Sequence, residues 1–206
     1  PNKLEVVNQF ILNNPQIDVI CHDLVINNII SCKKKTYNCG PIVPNLYSDM
    51  LKYGNKFQNS AISVKKSIIE KHNIVINESK SIISVEDYDF SLQLAKCEAQ
   101  FACINIPLGE YIIESNNISN LSIHLENLEF LLKKHVFEIQ EFEPNKPKLW
   151  REVSSRLNII KGVSSFNKKK YTNFLWYFSL AIILSKDNFI KYIYKKLSNI
   201  KSLEKK

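Results

Sequence analysis

The sequence predicts an α/β domain followed by a helical, basic extension, and three observations carry that expectation. As far as about residue 106, short helical patterns alternate with β-branched apolar runs, as in a mixed sheet covered by helices. From Ser119 onward the apolar spacing is helical throughout. The charge changes as well: residues 1–144 carry 13 basic and 17 acidic side chains, whereas 145–206 carry 15 and 3, within a formal net charge of +8. The helical pattern makes 1–120 the α/β part and 121–206 the helical extension, and the charge change falls at a further boundary at Pro144 and Pro147.

The elements follow in order. Leu4, Val7, Phe10 and Ile11 recur at helical spacing, so Lys3–Asn13 is a helix, stopped by Asn13-Asn14-Pro15. Ile17–Ile26 is rich in β-branched residues and reads as a buried strand. Ile29–Cys32 is expected as a hairpin arm before a Lys33-Lys34-Lys35 turn. Gly and Pro punctuate Cys39–Asn45, which reads as loop. Phe57–Val64 is a second strand and Lys65–His72 a short helix. Ser79–Val85 is a loop that delivers Glu86, where a helix runs to about Cys97 with Phe90 and Leu94 on one face. Phe101–Ile106 is a strand that Pro107 should end. Leu121, Leu125, Leu128, Leu132, Val136 and Ile139 form one helical stripe, and Pro144 and Pro147 break it. Helices are expected at 148–160, 169–185 and 187–200.

Composition narrows the function classes. Hydrophobic content of 45% supplies an ordinary globular core. The five cysteines are odd in number and form neither a CxxC pair nor a zinc spacing, so most read as small hydrophobes in apolar contexts, in a reducing cytosol. The first residues lack a basic-then-apolar signal pattern, and no window has the ~20 apolar residues of a membrane span. No GxGxxG, P-loop or nucleophile elbow occurs, which argues against a Rossmann dehydrogenase, an NTPase and a serine hydrolase. The basic segment lacks the interleaved aromatic and basic motifs of nucleic-acid modules, and no nucleic-acid partner is expected.

The residues with the most chemistry lie in Glu86-Asp87-Tyr88-Asp89-Phe90 and around it. Upstream are Asn59-Ser60-Ala61, Ser63-Val64-Lys65-Lys66 and Asn77-Glu78; downstream are Leu92-Gln93-Leu94, Pro107-Leu108-Gly109-Glu110-Tyr111 and Asn117-Ile118-Ser119. In order and spacing these segments resemble the second half of the catalytic domain of family-2 glycosyltransferases, which have the GT-A fold. Pro1–Glu5 is similar to the segment that follows the family's metal-binding DxD motif. The resemblance therefore covers about residues 1–120 and implies a truncated GT-A-like sheet, whose nucleotide-binding half and DxD lie outside this chain.

The resemblance implies roles for particular residues. An acidic pair opening a helix supplies the general base that deprotonates the acceptor hydroxyl, here Asp87 with Glu86 as the second choice. A helix cap is what such a pair means in isolation. His22 and Asp23 end a strand and fall on the acceptor side of the cleft, although a satisfied edge histidine is the plainer reading. Ser60 and Tyr111 fall at substrate-binding positions. Where many relatives have Arg and then His after the tyrosine, this chain has Ile112 and Glu114. Glu114 offers a hard oxygen ligand to Mg2+ or Mn2+, or is simply a surface residue. Asp87-Tyr88-Asp89 has the form of a DxD but stands where the family has its base, so no metal role is assigned, and Asp89 reads as solvated or capping. The implied reaction is sugar transfer from a UDP- or dTDP-linked donor to a glycan or lipid-linked acceptor, in surface polysaccharide, lipopolysaccharide or glycoprotein assembly. This chain alone is expected to be inactive. The alternative is a non-catalytic glycan-binding or membrane-docking module. The location is expected to be cytoplasmic, or peripheral at the inner face of a membrane.

One run stands apart from the resemblance. Phe174–Leu184 is almost wholly apolar, with Lys168-Lys169-Lys170 before it and Lys186, Lys191, Lys195 and Lys196 after it. It is too short to span a bilayer. The preferred expectation is a helix packed on its neighbours, with Phe174, Trp176, Phe178 and Ile182 all buried. An interfacial helix is the alternative.

Overall fold

The computed structural model describes residues 2–114 and 121–201, with the side chains of the last helix described as far as Tyr194. The Asn117-Ile118-Ser119 segment lies outside the described residues. Among them the chain is mixed α/β, with a four-stranded mixed sheet and eight α-helices. It divides into two units: Pro1–Tyr47 with Asn55–Asn120, and Ser48–Gly54 with Leu121–Lys206.

In the first unit everything is arranged about β1 (Val19–Asn28). One edge of β1 pairs in parallel with β4 (Phe101–Ile113) over its whole length. The other edge is shared. β3 (Ile62–Val64) pairs antiparallel with Val19–Cys21, and β2 (Lys33–Tyr37) antiparallel with Leu24–Asn28. A strand paired on both edges and covered on both faces must be apolar nearly continuously. Val19, Ile20, Cys21 and Leu24 are accordingly no more than 3% exposed. α1 (Lys3–Asn13) lays Val7 against Ile20 and Ile104, with Phe10, Ile11 and Leu108 closing the cluster. Asp18 ties the strand ends together. Its carboxylate accepts from the Gln100 amide at 3.0 Å and meets Lys65 Nζ at 3.6 Å, while its carbonyl accepts from the Lys65 amide.

Three expectations for this unit are corrected. Ile29–Cys32 is the turn and Lys33–Tyr37 the arm. The Asn28 carboxamide accepts from the Ser31 amide at 2.9 Å, and Cys32 takes a left-handed φ of 52°, so the chain reverses before the lysines. The lysines then form an exposed outer strand, where charge protects an open edge. Phe57–Val64 is strand only over Ile62–Val64, because Asn59–Ala61 makes a 3-10 turn and Phe57 instead stacks on Phe101 at 5.1 Å. Pro107 does not end β4. It sits opposite Asp23 where the β1–β4 register shifts, and a bulge on an outer strand tolerates a residue without an N–H.

The second unit is helical: α5 (Leu121–Lys134), a π-helical turn at His135–Ile139, α6 (Lys146–Asn167), α7 (Tyr171–Leu184) and α8 (Lys186–Lys201), together with most of α2 (Leu46–Tyr53). Leu128, Leu132 and Val136 of the expected stripe are buried, whereas Leu121 is exposed. The break is built by Gln140, whose carboxamide donates to the Val136 and Glu143 carbonyls and accepts from the Glu143 amide. Asn145 then caps α6 by accepting from the Lys148 amide at 3.0 Å, and Pro147 lies in the first turn, where its missing N–H costs nothing. α6 runs past the expected 160 to Asn167. Gly162 lies inside it because α7 comes close: a Cβ there would stand 2.6 Å from Phe178 Cδ2. The inner faces of α6, α7 and α8 share Ile159, Ala181 and Tyr192, with an aromatic series Phe166–Phe174–Phe178–Phe189.

α7 departs most from expectation. Phe174 and Phe178 are partly buried, but Trp176 is 63% exposed and Ile182 44%. The four do not share a face. At 100° per residue Trp176 lies about 160° from Phe174, so one packed side cannot cover both.

Candidate functional site

The candidate residues of the first unit come from three elements: the middle of β1, the loop after β2 and the start of α4 (Glu86–Lys96), with β4 alongside. β1 supplies His22 and Asp23, at 1% and 2% exposure. Asp23 Oδ1 accepts from the Cys39 amide at 2.8 Å and so anchors the loop that carries Cys39 and Gly40. His22 Nδ1 lies 2.7 Å from the Asp23 carbonyl and donates to it. That bond fixes the neutral tautomer with a bare lone pair on Nε2, which is buried and has no hydrogen-bond partner. Burial lowers the His22 pKa, the bond to the Asp23 carbonyl opposes that, and the Lys3 charge adds to the lowering. Gly109 of β4 lies beside this ring. A Cβ there would stand 3.1 Å from Leu24 Cδ2 and 3.7 Å from His22 Cε1.

The histidine is therefore not a satisfied edge residue. A buried acceptor without a protein partner costs free energy, about 1–3 kcal/mol.

α4 begins where Ser84, at φ 70°, turns the chain and Val85 takes the N-cap position. Glu86, Asp87 and Asp89 all fall in its first turn, where the helix dipole favours negative charge. Their surroundings differ. Asp87 is half-buried. Glu86 is half-buried too, but its Oε2 is wholly covered and without a hydrogen-bond partner. Asp89 is 8% exposed and accepts from Gln93 Nε2 at 3.0 Å. The expectation of a solvated or capping Asp89 is thus corrected: within the same first turn, its side chain is buried. Gln93 also exchanges hydrogen bonds with the Val75 backbone, so Asp89 and Gln93 together hold the segment before α4. Burial, and after it the Asp89 charge, raises the pKa of Tyr47.

The remaining expected positions are more open. Ser60 is exposed in the 3-10 turn, and its carbonyl accepts from Lys3 Nζ at 2.9 Å. Tyr111 lies opposite Ile26 and is 43% exposed. Glu114 is exposed just beyond β4. Among the described residues no group of three or more His, Cys, Asp or Glu side chains is placed to hold a metal ion. Glu114 itself offers one exposed carboxylate, and the residues that follow it lie outside the described ones.

Sequence reasoning missed the thiols. Cys39 donates to Cys103, and Cys21 stands opposite Cys103 in the β1–β4 register. The bond from Cys39 holds the Cys103 thiol below its ordinary pKa and raises that of Cys39. Three cysteines separated in sequence by a strand and a loop leave no spacing signal. Gly109 did leave one, because glycine inside a strand marks a close approach. Comparison of the chain with protein-family models, with curated proteins and with solved structures gives no match.

Proposed function

We propose that the first unit is the acceptor-side part of a glycosyltransferase of the family-2 type. In this reading it binds a hydroxyl-bearing glycan or lipid-linked acceptor and deprotonates the attacking hydroxyl. The observation that carries the reading is the acidic pair opening α4, with one Glu86 carboxylate oxygen covered and unpartnered beside a half-buried Asp87. The sheet supports it: a central strand with a parallel neighbour supplied after the acidic helix and a short antiparallel neighbour supplied before it.

The chemistry asked of the pair is modest. As the acceptor oxygen bonds to the anomeric carbon and the bond to the nucleoside diphosphate breaks, the hydroxyl proton passes to a carboxylate. A helix start holds that carboxylate rigidly, and its position is set by the core residues Tyr88 and Leu92 behind it.

The test uses the full-length gene product with UDP- and dTDP-linked sugars and glycan or lipid-linked acceptors. Asp87→Asn or Glu86→Gln, whichever removes the base, lowers transfer on the order of 10²–10⁴-fold. Binding of glycan without transfer in the unsubstituted protein selects the non-catalytic module instead. Transfer at full rate by both variants overturns the reading.

A further inference from the structure

We infer that the outer face of α7 is a docking surface for an anionic lipid membrane, on which the helix lies flat. This inference concerns the second unit alone and is independent of the glycosyl-transfer reading.

α7 contains no charged residue, and Ala181 is its one buried residue. At 100° per residue, Tyr171, Ile182, Leu175, Ile183 and Trp176 fall within an arc of about 140°, with the exposed hydroxyls of Ser179 and Thr172 the polar groups among them. Their exposures are 56%, 44%, 63%, 78% and 63%. The residues of the opposite arc, Phe174, Tyr177, Phe178 and Ala181, are the ones packed or partly covered. Phe166, 52% exposed and edge-on to Tyr171, carries the apolar surface onto the end of α6. An exposed apolar face of this kind on one helix marks a contact surface.

Charge decides what it contacts. Lys168, Lys169 and Lys170 stand exposed at one end of α7, and Lys186 and Lys191 at the other, with Asp187 the one acidic residue among them. A second copy laid on this face, parallel or antiparallel, would set lysines against lysines. An anionic headgroup layer instead pairs each of them while the helix between enters the acyl boundary, with Trp176 at the depth that indole prefers. Fourteen residues make a helix about 21 Å long, short of the ~30 Å hydrocarbon thickness. No described helix is long and apolar enough to cross a membrane, so the geometry is that of a helix lying in the interface.

The experiment uses the whole chain with Trp150→Phe, which leaves Trp176 as the one tryptophan of the two. Vesicles of phosphatidylcholine mixed with phosphatidylglycerol are compared with vesicles of phosphatidylcholine alone. The protein should sediment with the anionic vesicles, and Trp176 emission should shift to the blue. The shift should survive salt raised to about 0.5 M, because inserted apolar surface is not screened. Leu175→Glu with Ile183→Glu should abolish both signals while leaving the far-UV circular dichroism unchanged. Changing Lys168, Lys169 and Lys170 to Gln, at positions outside any core, should weaken binding on the order of 10²-fold. Sedimentation without a blue shift, lost on adding salt, would show mere electrostatic attraction and overturn the inference. So would self-association that Ile183→Glu disrupts in a protein indifferent to both vesicle types.

Discussion

β1 of the first unit and α7 of the second show opposite relations between composition and burial. β1 includes His22 and Asp23, yet its first six residues are all buried. α7 has no charge at all, yet one residue of fourteen is buried. The difference lies in the neighbours. β1 has strands hydrogen-bonded along both edges and α1 over one face, so even its polar side chains are enclosed: Asp23 finds an internal partner in the Cys39 amide, and His22 Nε2 does not. α7 packs one side against α6 and α8 and leaves the other open. Hydrophobicity says what a segment can bury. Topology says what it does bury, and an apolar segment left open is a candidate for contact with something else.

The comparison predicts unequal mutational costs, and the largest is in β1. Leu24→Ala removes a side chain that is 2% exposed and should destabilise by about 2–5 kcal/mol in urea unfolding. Ile183→Ser in α7 removes a comparably apolar side chain and should change stability by no more than about 0.5 kcal/mol. Equal losses for the two would mean that α7 is covered in the isolated protein and would remove the contrast.

An intermediate effect should appear on the inner side of α7. Gly162→Ala places a methyl group 2.6 Å from Phe178 Cδ2. The ring is held between Phe174 and Phe189, at 4.5 Å and 5.8 Å, so it has little room to yield. The expected cost is about 1–3 kcal/mol. A neutral result would show that α7 is loosely seated on both sides, not on its outer side alone.

The sequence was most informative where one local pattern decides the outcome. The helices Lys3–Asn13 and Glu86–Lys96 and the core of β1 follow from apolar spacing and β-branched runs. It was least informative where a distant partner decides. Pro107 looks like a strand end until Asp23 supplies the bulge opposite it. The lysine run looks like a turn until Asn28 and Cys32 reverse the chain before it. Within the candidate site the acidic pair is legible as a helix opening. The inward turn of Asp89 is not, since it depends on Gln93 and Val75. Nor is the enclosure of His22, which depends on strands on both sides of β1. For α7 the apolar run is plain in the sequence, but nothing local tells which arc α6 and α8 will take.

The smallest expected effect is in pH dependence, where the two units should separate. His22 in the first unit has a pKa lowered by burial from an ordinary 6.5. Its neutral form is favoured in the folded state. The stabilisation is therefore complete above pH 6.5 and is lost as the pH falls toward the lowered folded value. One such group gives a slope of at most about 1.4 kcal/mol per pH unit. In the second unit, burial acts against ionisation of Glu129, but Lys161 and Lys133, at 2.9 Å and 3.0 Å, outweigh it and hold its pKa below 4.5. That stabilisation is complete above pH 4.5 and is lost only below it. Acidification from pH 7 should thus weaken the first unit before the second. His22→Asn keeps a donor for the Asp23 carbonyl but cannot take up a proton, so it should flatten the loss that begins below pH 6.5 and leave the Glu129 limb unchanged. Glu129→Gln should do the reverse. Urea midpoints across this range decide the matter: an upper limb that persists in His22→Asn would assign it to another group and leave the buried imidazole without a part in the pH response.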